Sequence, residues 1–149
     1  MTRKNAREIA AQLVYEMNFR QIDAEALLKM HLAPDYFDTL QGESEAYGET
    51  PDEKQTAYLT SVLTGIEQRS RELDGYITKY AIGWNLERIS RPARAIMQLA
   101  MYESLYVDDV PVSSAINEAV ELTRKYADED VVAFVNGILG SFAREVAEQ

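Results

Sequence analysis

The sequence predicts an all-α protein, a compact bundle of about seven helices. Apolar residues recur at the three- and four-residue spacing of amphipathic helices along most of the chain. Helix-starting signals, such as a small polar residue before Pro or an acidic residue, precede several of these stretches. Strand signals are lacking, because no alternation of apolar and polar residues is sustained and Asp74-Gly75 lies between helical stretches.

Two helices are predicted near the N-terminus. The first begins after Thr2 and runs to about Arg20, with its apolar residues on one stripe. The second follows Asp23, which is suited to cap it, and ends before Pro34, because proline disfavours a helical residue ahead of it. The polar, glycine-punctuated segment 41–50 is predicted to be a mobile loop or an insertion.

A long helix is predicted from the sequence Thr-Pro-Asp-Glu at 50–53. Thr50 is expected to cap it and Glu53 to complete a capping box. The pair Asp74-Gly75 is typical of a helix end or of a sharp change of direction. A short separate helix is therefore expected over 76–80.

Three further helices are predicted in the second half of the chain. Ser90-Arg91-Pro92 opens one that closes near 108–109. The next runs over about 113–126. The acidic run 128–130 supplies a cap and favourable negative charge to the start of the last helix.

Length and composition indicate one ordinary globular domain, 1–149. Hydrophobic residues make up 46% of the chain and charged residues 27%, a usual mixture for a folded domain. The absence of cysteine excludes disulfides and thiolate chemistry and fits a reducing compartment. No apolar run approaches the ~18 residues of a membrane span, so we expect a cytoplasmic protein.

The charge is strongly acidic but unevenly distributed. A net charge of −10 argues against a protein that coats nucleic acid by bulk electrostatics. Residues 1–20, however, carry four basic side chains against two acidic ones, whereas 21–56 carry nine acidic against two basic. The sequence therefore places a basic N-terminus on an acidic body.

The chemistry of an enzyme is lacking in the sequence. His31 is the only histidine, and no second imidazole is present for the di-metal sites of helical bundles. Neither a Walker phosphate loop nor a dinucleotide-binding glycine fingerprint occurs. We expect no catalytic residues, no metal site and no cofactor, and a structural or solvated role for His31.

Two stretches of the second half resemble the NusB family of transcription antitermination factors. They are AIMQLAMYE at 95–103 and VPVSSAINEAVEL at 110–122, the latter followed by FVNGIL at 134–139. The opening helix, over 6–15, is similar to the family's first helix. The resemblance implies two packed helical subdomains and binding of the single-stranded boxA element of RNA together with the ribosomal protein NusE. It also implies work within the RNA polymerase antitermination complex, notably in ribosomal RNA operons.

The resemblance also implies RNA-contacting residues. Arg3, Lys4 and Arg7 correspond to the family's basic tip and are expected to contact phosphates; the alternative is a solvated helix start. Phe134 matches an aromatic residue that stacks on RNA, and Asp130 matches a nearby carboxylate that contacts RNA. The alternative for Phe134 is a core position, although it is offset from the apolar stripe of its helix.

Three further positions are implied less directly. Lys125 either extends the basic surface or merely suits the C-terminus of a helix. Tyr15 and Glu87 match family positions in or near the NusE contact. Gln98 stands where relatives commonly have arginine, which departs from the family pattern.

Alternatives to RNA binding remain open at this point. An acidic helical adaptor that binds only proteins is the main one, and it predicts no effect on RNA binding when the basic tip is replaced. Some relatives self-associate, so the sequence also leaves a homodimer open.

Overall fold

The computed structural model describes residues 1–147, which divide between two compact units. The N-terminal unit is Met1–Gln68, and the C-terminal unit begins at Arg69. Within the described residues every regular element is helical, with seven α-helices and two short 3-10 turns. The prediction of an all-α protein is confirmed. None of these helices combines the length and the apolar character needed to cross a membrane.

The N-terminal unit contains three complete α-helices and the first part of a fourth. Helix α1 spans Arg3–Arg20, α2 spans Ala24–His31, α3 spans Pro34–Asp38, and a 3-10 turn occupies Glu45–Tyr47. The predicted cap of α2 is confirmed, since the Asp23 side chain accepts a hydrogen bond from the backbone of Ala26. Helix α1 begins after Thr2 as predicted, and the Thr2 side chain accepts from the backbone of Asn5. The buried apolar residues of this unit include Ala6, Ile9, Ala10, Leu13, Val14, Leu27, Phe37, Leu59, Val62, Leu63 and Ile66.

The centre of the segment 41–50 is packed. Tyr47 is 3% exposed, its hydroxyl donates to Gln12 of α1, and its ring meets that of Phe37 edge-on. The Ser44 hydroxyl donates to a carboxylate oxygen of Glu8 at 3.0 Å. Outside the 3-10 turn the segment is a loop, but these contacts attach it to α1, which its polar and glycine-rich composition did not predict.

His31 is buried beside this loop. Its Nε2 atom lies 3.3 Å from the Tyr47 hydroxyl, and its Nδ1 atom lies 3.8 Å from a carboxylate oxygen of Glu16. Burial lowers the pKa of His31 below its usual value of 6.5, and the charge of Glu16 opposes that shift. A structural role for this histidine is therefore favoured.

Helix α4 spans Glu53–Tyr80, and both of its predicted ends differ from the structure. The Asp52 carboxylate accepts from the backbone of Gln55 at 2.8 Å, and the Gln55 side chain accepts from the backbone of Asp52 at 3.0 Å. The capping box thus lies two residues beyond the predicted Thr50–Glu53 box. The helix also continues through Asp74-Gly75, so the separate helix expected over 76–80 is its last part.

The irregularity in α4 occurs at Arg69, where φ is −116° and ψ is 17°. Its guanidinium lies 4.3 Å from the centroid of the Tyr106 ring, and the Tyr106 hydroxyl donates to the Glu72 carboxylate at 2.7 Å. This cation–π contact stabilises the side chain at the point where the helix departs from ideal geometry.

The C-terminal unit is built from the last part of α4 and three further helices. Helix α5 spans Arg91–Tyr106, α6 spans Val112–Tyr126, and α7 spans Glu129–Ala147. Helix α5 packs against both α6 and α7 and is buried without interruption over 95–103. Helix α5 opens at the predicted Ser90-Arg91-Pro92, and the Ser90 side chain accepts a hydrogen bond from the backbone of Ala93. The buried apolar residues of this unit include Leu73, Ile77, Ile96, Met97, Leu99, Met101, Ala115, Ala119, Val132, Val135, Ile138, Leu139 and Phe142.

Candidate nucleic-acid interface

The first turn of α1 presents basic side chains. Arg3 and Lys4 are exposed and Arg7 is half-buried, and this turn carries no acidic residue. The Arg3 guanidinium lies 4.8 Å from the centroid of the Tyr58 ring. Cations at a helix N-terminus oppose the helix dipole at a cost of about 0.3–1 kcal/mol each. A phosphate bound at this turn would remove that cost.

Phe134 lies on α7 and is half-buried. Its ring meets the indole of Trp84 with centroids 5.6 Å apart and planes inclined at 62°. Asp130 is exposed one turn earlier on the same helix. The helix therefore places the carboxylate and the aromatic ring on one face, as the four-residue spacing requires.

A cavity of about 360 Å³ lies beside these residues. Its lining is mostly apolar, with one basic, one acidic and two aromatic side chains: Trp84, Arg88, Ile89, Ser90, Ala93, Asp130, Val131 and Phe134. The structure thus brings together the predicted residues Asp130 and Phe134. Trp84 and Arg88 were not identified from the sequence, because the only available signal was a single tryptophan between two helical stretches.

Lys125 is at the C-terminal end of α6, and it does not line this cavity. Its ammonium group lies 5.9 Å from the centroid of the Tyr126 ring. The neighbouring Arg124 is paired with Glu121 and, at 3.7 Å, with Glu129. Both alternatives for Lys125, an extended basic surface and a favourable helix end, therefore stay predictions.

The residues implied in the protein contact lie on exposed parts of the two units. Tyr15 is half-buried on α1 and stacks on Phe19, with centroids 6.1 Å apart and planes within 5° of parallel. Phe19 is 58% exposed and was not singled out from the sequence. Glu87 is exposed on the 3-10 turn Leu86–Arg88.

Gln98 is fully buried and belongs to a polar cluster inside the C-terminal unit. Its amide donates to the Asp74 carboxylate at 2.8 Å. Arg94 donates to the same carboxylate through two nitrogens, at 3.1 and 2.6 Å. The residue that departs from the family pattern therefore serves an internal network, and it is not exposed to a partner.

Comparison with known proteins decides the family. The model described as the NusB family matches residues 4–144. The chain belongs to the NusB family. A transcription antitermination protein NusB of Ruminiclostridium cellulolyticum is 34% identical over 144 residues, which is 97% of this chain and 90% of that one. Its counterpart in Limosilactobacillus fermentum is 37% identical over 140 residues, with coverage of 93% and 90%.

Solved structures support the same conclusion. NusB of T. maritima has a TM-score of 0.78 and 28% sequence identity, over 97% of this chain and 93% of that one. A second solved structure is described as antitermination factors NusB and NusE in complex with dsRNA. Its similarity to this chain has a TM-score of 0.74 at 20% sequence identity, over 96% of both chains, and shows that the two share a fold. The resemblance to NusB found in the sequence is confirmed, and these relatives are named as transcription antitermination proteins.

Proposed function

We propose that this NusB-family chain is an RNA-binding transcription antitermination factor. It binds a boxA element together with the ribosomal protein NusE and promotes read-through by RNA polymerase in ribosomal RNA operons. The observation that carries the proposal is the family match over residues 4–144, with relatives named as transcription antitermination proteins. In a solved complex a protein of this fold is found with NusE and double-stranded RNA, whereas we expect this chain to bind unpaired RNA.

The basic first turn of α1 supplies the proposed phosphate contacts. Arg3, Lys4 and Arg7 are the residues concerned, and the exposure of the first two supports this role. The rest of the chain is acidic enough to give a net charge of −10, which repels RNA. We therefore expect weak RNA binding by the chain alone and tighter binding once a basic partner is added.

The α6 and α7 helices supply the other proposed RNA contacts. Phe134 is expected to stack on a base, and Asp130 to accept a hydrogen bond from a base. The half-buried state of Phe134 supports stacking, because part of the ring is accessible to a ligand. Lys125 is expected to add a phosphate contact from the end of α6.

The proposed NusE contact includes Tyr15 and Glu87. The parallel stack of Tyr15 on the exposed Phe19 supports this role, because aromatic side chains are enriched at protein interfaces. Glu87 is an exposed carboxylate that complements the positive charge expected of a ribosomal protein.

Three broader statements belong to the same proposal. The protein works in the cytoplasm, where nascent RNA and ribosomal proteins meet. Residues 1–149 form one domain. The chain can also form a homodimer that hides the RNA surface, and a molecular mass in solution of twice that of the monomer would show it.

A gel-shift titration tests the proposal. The chain is mixed with a boxA-like RNA or a scrambled control, with and without NusE. Retardation of the boxA-like RNA that is strengthened by NusE is the expected result. The proposal is contradicted if the scrambled RNA is retarded as strongly as the boxA-like RNA. It is also contradicted if neither RNA is retarded at high protein concentration, a result that would favour an adaptor that binds only proteins.

A further inference from the structure

The start of α1 lies against the first turns of α4. The Gln55 side chain donates to the Met1 carbonyl, and the Arg3 guanidinium lies over the Tyr58 ring, 4.8 Å from its centroid. Gln55 and Tyr58 are three residues apart on α4, so they share one face of that helix. Two side chains of α4 therefore contact residues 1–3, where the basic first turn of α1 begins.

The position of Tyr58 is set by its own helix. Tyr58 is half-buried, and the next residue, Leu59, is 1% exposed in the core of the N-terminal unit. The reciprocal hydrogen bonds between Asp52 and Gln55 cap α4 one turn earlier. A side chain on a capped helix with a buried face is placed more precisely than one on a loop. The Tyr58 ring is therefore a well-ordered support for a neighbouring side chain.

The contact with Tyr58 restricts the conformations of Arg3. Arg3 is exposed, and a solvated arginine loses much of its rotamer freedom when it binds a phosphate. A guanidinium that already lies over an aromatic ring has lost part of that freedom before RNA arrives, so binding costs less. This contact also places no anion beside the guanidinium, whereas an ion pair with a carboxylate would compete with phosphate. Tyr58 can therefore raise the affinity of Arg3 for phosphate without touching RNA.

We propose that Tyr58 is a positioning residue for RNA binding, which acts through Arg3 and makes no contact with RNA itself. The proposal rests on the RNA-binding function proposed above and adds to it a residue of α4. It also accounts for a cation at the unfavourable end of the α1 dipole, because the ring stabilises the guanidinium there. Loss of the ring should weaken RNA binding only while Arg3 is present.

A double-mutant cycle tests this dependence. Affinity for a fluorescently labelled boxA-like RNA is measured by anisotropy, with NusE present, for the wild type, Tyr58→Leu, Arg3→Ala and the double variant. Tyr58→Leu should weaken binding by about 2- to 5-fold, the effect of losing one exposed cation–π contact. In the Arg3→Ala background the same change should have no effect. A tyrosine that only supported the fold would weaken binding by the same factor in both backgrounds.

Two further variants separate the ring from other effects of the substitution. Tyr58→Phe keeps the aromatic face over which Arg3 lies, so it should bind RNA as the wild type does. Tyr36→Leu is the matched control, because it removes a tyrosine of the same unit that is 38% exposed and whose ring lies 5.5 Å from that of His31. This control should leave the affinity for RNA unchanged.

The outcomes separate the two proposals. RNA binding that is weakened by Arg3→Ala but not by Tyr58→Leu would overturn the positioning role and leave the RNA-binding function intact. The same conclusion would follow from an Arg3→Ala variant with wild-type affinity, from equal losses in the two backgrounds, or from a Tyr58→Phe variant as weak as Tyr58→Leu. If no RNA binds with or without NusE, both proposals fail.

Discussion

Removing the Asp74 carboxylate should destabilise the protein, because Arg94 and the buried Gln98 lose their shared acceptor. Asp74→Ala deletes two hydrogen bonds from Arg94 and one from the fully buried Gln98. Breaking a buried ion pair costs about 3–5 kcal/mol. The side chains of Arg94 and Asp74 are 26% and 18% exposed, so water recovers part of that loss. We therefore expect a decrease in the free energy of unfolding of about 2–3 kcal/mol.

Urea unfolding followed by circular dichroism measures this change directly. The melting temperature should fall by about 4–12 °C. Asp108→Ala is the matched control, because it removes an exposed carboxylate from the turn after α5 and should change stability by less than about 0.5 kcal/mol. Adding Arg94→Ala to Asp74→Ala should cost less than the two single effects together. An Asp74→Ala variant as stable as the control would refute the assignment of this cluster as a stabilising network.

Three other predictions concern stability. Because burial lowers the pKa of His31, the unfolded chain takes up a proton at a higher pH than the folded one, so the free energy of unfolding should fall as pH drops through 6.5. Urea titrations at pH 7.5 and 5.5 should show a smaller fall for His31→Gln than for the wild type, and an equal fall in both proteins would contradict this. Asp52→Ala should lower the free energy of unfolding by about 1 kcal/mol, because Asp52 caps α4, and Thr50→Ala should lower it by less than about 0.5 kcal/mol. A larger loss for Thr50→Ala than for Asp52→Ala would instead support the capping box expected at Thr50–Glu53. If residues 1–149 form one domain, far-ultraviolet circular dichroism and Trp84 fluorescence should give one coincident unfolding transition, whereas two separated transitions would indicate independent units.

Most helix positions followed from the sequence because their determinants are local. Thr2, Asp23 and Ser90 each cap the helix that they precede. The misplaced capping box of α4 was a local error of two residues, whereas two other errors occurred where a distant residue decides. Asp74-Gly75 resembles a helix end, but the Asp74 carboxylate is bonded to α5 and the helix continues. Tyr47 likewise packs on α1 from a segment whose composition is typical of a free loop.

The candidate site was predictable where residues share one helix. Asp130 and Phe134 are four residues apart on α7, so their common face follows from helical periodicity. Trp84 and Arg88 come from the connection between α4 and α5, and their position beside α7 is a tertiary contact with no local signature. Gln98 stands where relatives commonly have arginine, and its role depends on a residue on another helix, because its buried amide donates to the Asp74 carboxylate of α4.

The salt dependence of RNA binding tests the central claim, that this acidic chain binds RNA through its basic first turn. Affinity of the isolated protein for a boxA-like single strand is measured at several salt concentrations, for the wild type and for the Arg3, Lys4 and Arg7 triple alanine variant. Three phosphate contacts of ~0.7 each predict that the logarithmic slope of the wild type is steeper than that of the variant by about 2. A wild-type slope near zero, or equal slopes for the two proteins, would contradict the account.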